Sequence, residues 1–142
     1  MNDDINLTDL PMPPSANKRL TPIKGRLFKS QIVREFDHKV QVWILKKGYK
    51  IHVAREKAKG WIEKGYLLKI ELVFFWPKEN LISKDGTPKR IDSSNRLKEA
   101  EDAVSEILEV DDKYFINHII YKVPYESPEP TFSVIVSPTK WV

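Results

Sequence analysis

Four side chains in one stretch of the sequence could act together on a phosphodiester: Asp92, Lys98, Asp111 and Asp112. Carboxylate oxygens are hard ligands that suit Mg²⁺, an ion that keeps several waters and is often held by only one or two protein carboxylates. An ion so held activates a water and stabilises the leaving oxygen. A lysine beside it would stabilise the added negative charge on the phosphate. Asp92 and Asp112 are the expected ligands, Asp111 is a candidate third, and Lys98 is the expected phosphate-stabilising cation. The same residues also fit a plainer role. Asp92 would cap a helix, Asp111 and Asp112 would be turn residues before a strand, and Lys98 with Asp102 would be a surface ion pair of little worth.

The elements around these residues decide between the two. Leu97, Ala100, Val104, Ile107 and Leu108 form an apolar stripe, which predicts a helix from Ser94, a good cap, to about Leu108. A straight helix of that length separates its ends by roughly 20 Å at 1.5 Å per residue. Asp92 and Asp112 can therefore meet only if the helix is a crossover between neighbouring strands, the two acids lying at strand ends. On this reading the helix connects the site and does not wall it.

The rest of the chain supplies candidate strands and further helices. Ser30 caps a predicted helix with Ile32, Val33, Phe36, Val40, Trp43 and Ile44 at helical spacing, ended by Gly48. A second helix is predicted over about 53–63, with Val53, Ala54, Ala58, Trp61 and Ile62 on one face. Strands are predicted from Leu67 to Trp76, from Tyr114 to Val123 and from Thr131 to Val136. Residues 78–89 read as a polar loop turning at Asp85-Gly86. Residues 1–16 read as an extended, proline-bearing arm, 17–29 as a basic loop, and 17–142 as one domain. The order implies an α+β fold, a mixed sheet with flanking helices in a single domain.

Composition narrows the chemistry. The chain has 142 residues and no cysteine, which excludes a disulfide framework, a thiolate zinc site and a cysteine nucleophile. No glycine-rich phosphate loop is present, so no nucleotide cofactor is expected. The longest apolar run, Leu72 to Trp76, is too short for a membrane span. The opening residues lack a secretion pattern, and a cytoplasmic setting is expected. Charge is unevenly spread. Residues 15–64 hold 14 basic and 4 acidic side chains, net +10, whereas residues 92–112 hold 8 acidic and 2 basic, net −6. A basic body attracts phosphates and a compact acidic island holds cations against them; a solvated basic helix beside a solvated acidic one fits the charges as well.

The ordered set resembles the RusA family of Holliday-junction resolvases. That family carries Asp-x-Asp-Asn, a lysine three residues after the asparagine, an aspartate four further on, and a late Asp-Asp pair. Here Asp92, Asn95, Lys98, Asp102 and Asp111-Asp112 stand in that order, and Pro13-Pro14-Ser15-x-Asn17 resembles the family's opening. The second acid of the Asp-x-Asp pair is Ser94, a neutral and poorer Mg²⁺ ligand. The resemblance implies a Mg²⁺-dependent endonuclease of phage or bacterial origin. It would act as a homodimer, resolving four-way and other branched DNA by paired symmetric nicks that leave 5′-phosphate and 3′-hydroxyl ends. Ser94 leaves open a single-metal site, compensation by Asp102 or Asp111, or a protein that binds branched DNA without cutting it. An unrelated basic regulator is the remaining alternative.

Asn17, Lys18, Arg19, Lys24, Arg26, Lys29 and Asn95 are the expected DNA contacts, with Arg34 tracking phosphates and Phe28 as a wedge or stacking group. His38, His52 and His118 lack metal-ligand spacing and read as surface or strand residues. Trp43, Trp61 and Trp76 read as core.

Overall fold

A computed structural model of the chain describes residues 3–15, 26–89, 96–126 and 128–140, and also 20–23; residues 20–23 and 26–29 are described by their backbone. One mixed four-stranded sheet carries the fold, with helices packed on one face. Its strands are β1 (Ile5–Pro11), β4 (Leu67–Pro77), β5 (Phe115–Tyr125) and β6 (Thr131–Thr139), in the order β1-β6-β4-β5. Two short strands, β2 (Leu20–Ile23) and β3 (Arg26–Lys29), form a separate antiparallel hairpin. The basic segment expected as a loop is therefore a hairpin where it is described. Its brevity and Pro22 hide it from a search for alternating runs.

β4 is the organising strand. Its side chains alternate strictly, and Leu68, Ile70, Leu72, Phe74 and Trp76 are all buried. It pairs antiparallel with β6 and parallel with β5. Phe132, Val134 and Val136 of β6 and Ile5, Leu7 and Leu10 of β1 continue the same buried face. β1 is extended, as expected of the proline-bearing arm, and it is also a sheet strand, pairing Leu7 with Val134 and Leu10 with Phe132 around a bulge. Asp9 in that bulge has φ 59°, the left-handed region that a non-glycine residue enters at a cost. Among the described residues β5 is a sheet edge, so Pro124 within it removes no donor that a described neighbour on its outer side needs.

α1 (Gln31–Lys47) starts as expected. The Ser30 hydroxyl accepts from the Val33 amide at 3.4 Å, and Val33, Phe36, Val40 and Trp43 turn inward. Gly48 (φ 54°) ends it by donating its amide to the Ile44 carbonyl at 3.2 Å. The same glycine opens α2 (Tyr49–Glu63), so α2 starts four residues earlier than apolar spacing predicts. Ile51, Ala54 and Ala58 form its buried face, and Val53, expected inside, is exposed. Trp43 and Trp76 are buried and Trp61 packs against the core, as expected.

Between β4 and β5 the chain forms a one-turn helix, α3 (Lys78–Leu81), then a tight turn, then α4 (Leu97–Leu108). Asp85 holds the turn. It accepts from the Thr87 and Ser83 hydroxyls and from the Thr87 amide, and these bonds lower its pKa to about 2. Ile82 bridges Pro88 across it, which directs the chain toward residue 90. Ala100, Ala103, Val104, Ile107 and Leu108 of α4 pack on the sheet. Ser94, the expected cap, lies outside the described residues; the helix begins at Leu97 with Arg96 in the cap position. Among the described residues no helix is long and apolar enough to cross a membrane.

Candidate active site

The crossover predicted from the spacing is present: α4 joins β4 to β5, and these strands are parallel neighbours. What spacing does not foretell is the path after α4. Glu109 adopts φ 54° and Val110, buried, donates its amide to the Ser105 carbonyl at 3.1 Å. The Ser105 hydroxyl in turn bonds the Val110 carbonyl. Arg55 of α2 braces this reversal. Its Nε donates to the Ile107 carbonyl at 2.8 Å, and its guanidinium pairs with Glu109 at 3.2 Å. A cation on the last carbonyls of a helix satisfies orphan acceptors and complements the dipole. The chain thus doubles back, and Asp111 caps a 3₁₀ turn (Asp112–Tyr114) by accepting from the Lys113 amide at 3.0 Å.

The reversal places Asp112 beside the start of the helix. Lys98 Nζ lies 2.9 Å from Asp102 Oδ1 and 3.9 Å from Asp112 Oδ2. The face of α4 that carries Lys98 and Asp102 therefore does wall the site, contrary to the expectation that the helix only connects its ends. An ammonium shared by two carboxylates occupies the kind of position that a divalent cation or a phosphate would contest. The three side chains are 37% to 51% exposed, so a substrate can reach them and the pairing adds little to stability. Asp111 turns its carboxylate to the cap and lines a groove facing α2, while Asp112 faces Lys98. Among the described residues no three acids or histidines converge as a ready metal cage. The donor set nonetheless suits a hard ion, because Mg²⁺ uses one or two carboxylates and keeps its waters.

Beside the cluster, a groove of about 280 Å³ between α1 and α4 is lined by Asp37, Glu99, Asp102 and Glu106. Glu99 is only 2% exposed, a depth that its place in the charged sequence does not reveal. Gln41 of α1 bonds Glu106 across the groove. The acidic island is thus partly a cleft, which continues inward from Asp102 to Glu99. His38 and His52 are exposed, and His118 on β5 lies 3.5 Å from Glu101.

Arg96 is the residue that sequence patterns miss. Its guanidinium lies over the Trp76 ring at 4.9 Å, and it donates to the Pro13 carbonyl. Pro13 and Pro14 are buried. One side chain therefore ties the Pro-Pro-Ser segment, the end of β4 and the start of α4 together, two residues before Lys98. An arginine stacked on an aromatic is a planar, pre-organised clamp. Of the remaining expected residues, Asp92, Ser94 and Asn95 lie outside the described residues, as do Asn17, Lys18, Arg19 and Lys24. Arg26, Phe28 and Lys29 fall on β3.

A family model described as endodeoxyribonuclease RusA matches residues 11–135. No curated protein matches the chain.

Proposed function

From the chain's membership of the RusA endodeoxyribonuclease family, we propose that it is a Mg²⁺-dependent endonuclease that resolves four-way and other branched DNA by paired symmetric nicks. The observation that carries this reading is the meeting of Lys98, Asp102 and Asp112 at an exposed point beside an acidic cleft. Asp92 and Asp112 are the metal ligands in this reading, with Asp111 a third donor if it leaves its cap. The ion supplies an activated water and charge neutralisation at the phosphodiester when bound. Asp112 also holds Lys98, so that its ammonium faces the phosphate oxygens and stabilises their added charge. Asp102, on the other side of Lys98, keeps that ammonium aimed. Asn17, Lys18, Arg19, Lys24, Arg26, Lys29 and Asn95 are the proposed DNA contacts, and a bacterial or phage-infected cytoplasm is the proposed setting.

A labelled four-way junction tests the reading. Cutting should need Mg²⁺, stop with EDTA, and disappear in Asp92→Asn. The second reading, a junction binder that does not cut, is favoured by Ser94, where the family has an acid. It predicts tight binding without cutting, with cutting gained in Ser94→Asp. No preference for junctions over duplex would overturn both.

Two symmetric cuts need two symmetric sites, which supports a homodimer. β5 is a free sheet edge among the described residues, and Tyr121 and Tyr125 on it are each 46% exposed. Long apolar edge strands are pairing sites unless they are blocked. In sedimentation analysis the protein should run as a dimer, and Ile119→Glu with Tyr121→Glu should shift it to monomer and uncouple the paired nicks. A monomeric native protein would remove β5 as the interface.

A further inference from the structure

At the opposite edge of the sheet from β5, a cavity of about 360 Å³ opens between β1 and the corner where α1 meets α2. We propose that this cavity is a second DNA site, which takes one unpaired nucleotide of a branched substrate. The inference rests on the reading of the chain as a DNA endonuclease and adds a contact outside the acidic site.

Three features argue for a nucleotide. The cavity is large enough for a single base and is walled by apolar side chains, among them Ile51 and Ala54. Its mouth carries an aromatic ring in the open: Tyr49 is 77% exposed and stands 5.6 Å from the His52 ring. A tyrosine left that exposed buries nothing in the free protein, but it offers a face on which a base can stack. Lys47, Lys50 and Lys57 surround the same opening, facing one acid, Asp4. Their charge complements the phosphates on either side of a stacked base. The first turn of α2, which lines the opening, has neither an acidic residue nor a side-chain cap, so it adds no negative charge to that of Asp4.

The wall is also rigid where a ligand would press. The Trp43 indole donates to the Thr8 carbonyl at 3.0 Å, and Lys47 sits over its ring at 5.6 Å. Polar groups of Asn6 and Thr8 on β1 reach the lining and would meet the hydrogen-bonding edge of a base. From this edge to β5 is three strand spacings, roughly 14 Å at about 4.8 Å each. An unpaired strand leaving a branch point can cover that distance.

The test compares a four-way junction with the same junction bearing a short single-stranded tail, the tail containing 2-aminopurine. With the native protein the tailed junction should bind more tightly, and the 2-aminopurine emission should be quenched on stacking. Tyr49→Ala should abolish the quenching and reduce the tail's advantage roughly tenfold, the loss expected for one base–aromatic stack. Lys50→Ala with Lys57→Ala should reduce the advantage and flatten its salt dependence. These side chains lie at an open rim, so the variants should fold, and Mg²⁺-dependent cutting of the untailed junction should stay unchanged in both. If the advantage and the quenching survive both variants, or the native protein shows neither, the cavity is not a nucleotide site; an acidic peptide would then be the occupant its charge fits. Loss of cutting by the native protein would instead strike the endonuclease reading.

Discussion

Asp112→Asn should lower the rate of junction cutting by roughly 10³-fold, about 4 kcal/mol of transition-state stabilisation, while leaving junction binding intact. Two contributions disappear together. The amide is a neutral and weaker donor to a hard cation. It also releases one anchor on Lys98, whose Asp102 contact at 2.9 Å remains to set its direction. Folding should hardly change, because the Asp112 side chain is 45% exposed and its ion pair is weak in water. DNA affinity should rise slightly or stay level, since a negative charge facing phosphates has been removed. The measurement is single-turnover cutting at saturating protein, with a binding titration in Ca²⁺ or EDTA as the companion. A variant that binds and cuts at the native rate would remove Asp112 from the chemistry.

Phe74→Ala should have the largest effect on stability, about 3–5 kcal/mol. Phe74 is fully buried in the central strand and sits directly across from Phe132, their ring centroids 5.8 Å apart. Truncation loses the transfer energy of the ring and leaves a cavity that strands on both sides cannot close. A domain of this size has roughly 7–20 kcal/mol of stability at about 0.05–0.15 kcal/mol per residue, so the loss is severe but can leave a folded protein. Urea unfolding should show a lower midpoint with an unchanged slope. A shift under 1 kcal/mol would mean that the two aromatic rings are not stacked across β4 and β6 as described. Cutting measured well below the new midpoint should be close to native, because Phe74 is a buried core residue whereas Lys98, Asp102 and Asp112 are exposed.

The parts of the fold that are legible in the sequence are those fixed by short-range rules. α1 has a cap, a helical period and a stop glycine within eighteen residues or so, and each can be read without knowing the rest. β4 is legible because it is rich in β-branched and aromatic residues and is closed by Pro77. β1 is different. Pro11, Pro13 and Pro14 at and after its end speak against a helix, but its place in the sheet depends on Phe132 and Val134, over a hundred residues away, and the Asp9 bulge interrupts the alternation that would announce it. The start of α2 is hidden because Gly48 serves two helices at once.

The candidate site divides in the same way. The residue types and their order are in the sequence, and the crossover that lets distant acids approach follows from topology rules. The turn that brings Asp112 back along α4 does not follow, because it needs Glu109 in a backbone region that glycine favours. It also needs Arg55, 52 residues earlier, to hold the helix end. Nothing local to residues 105–112 records that brace.

The Arg96 contacts have a consequence for how the protein responds to its ligands. Because one guanidinium joins Pro13, Trp76 and the beginning of α4, the N-terminal segment and the lysine-bearing helix share part of their ordering free energy. A ligand that settles one of them lessens the entropy cost of settling the other. On the proposed reading, DNA held near the N-terminal segment would by thermodynamic reciprocity tighten cation binding beside Asp112, and the cation would tighten DNA by the same factor. The two affinities would then be a single coupled quantity, and a value for either would be defined only at a stated concentration of the other.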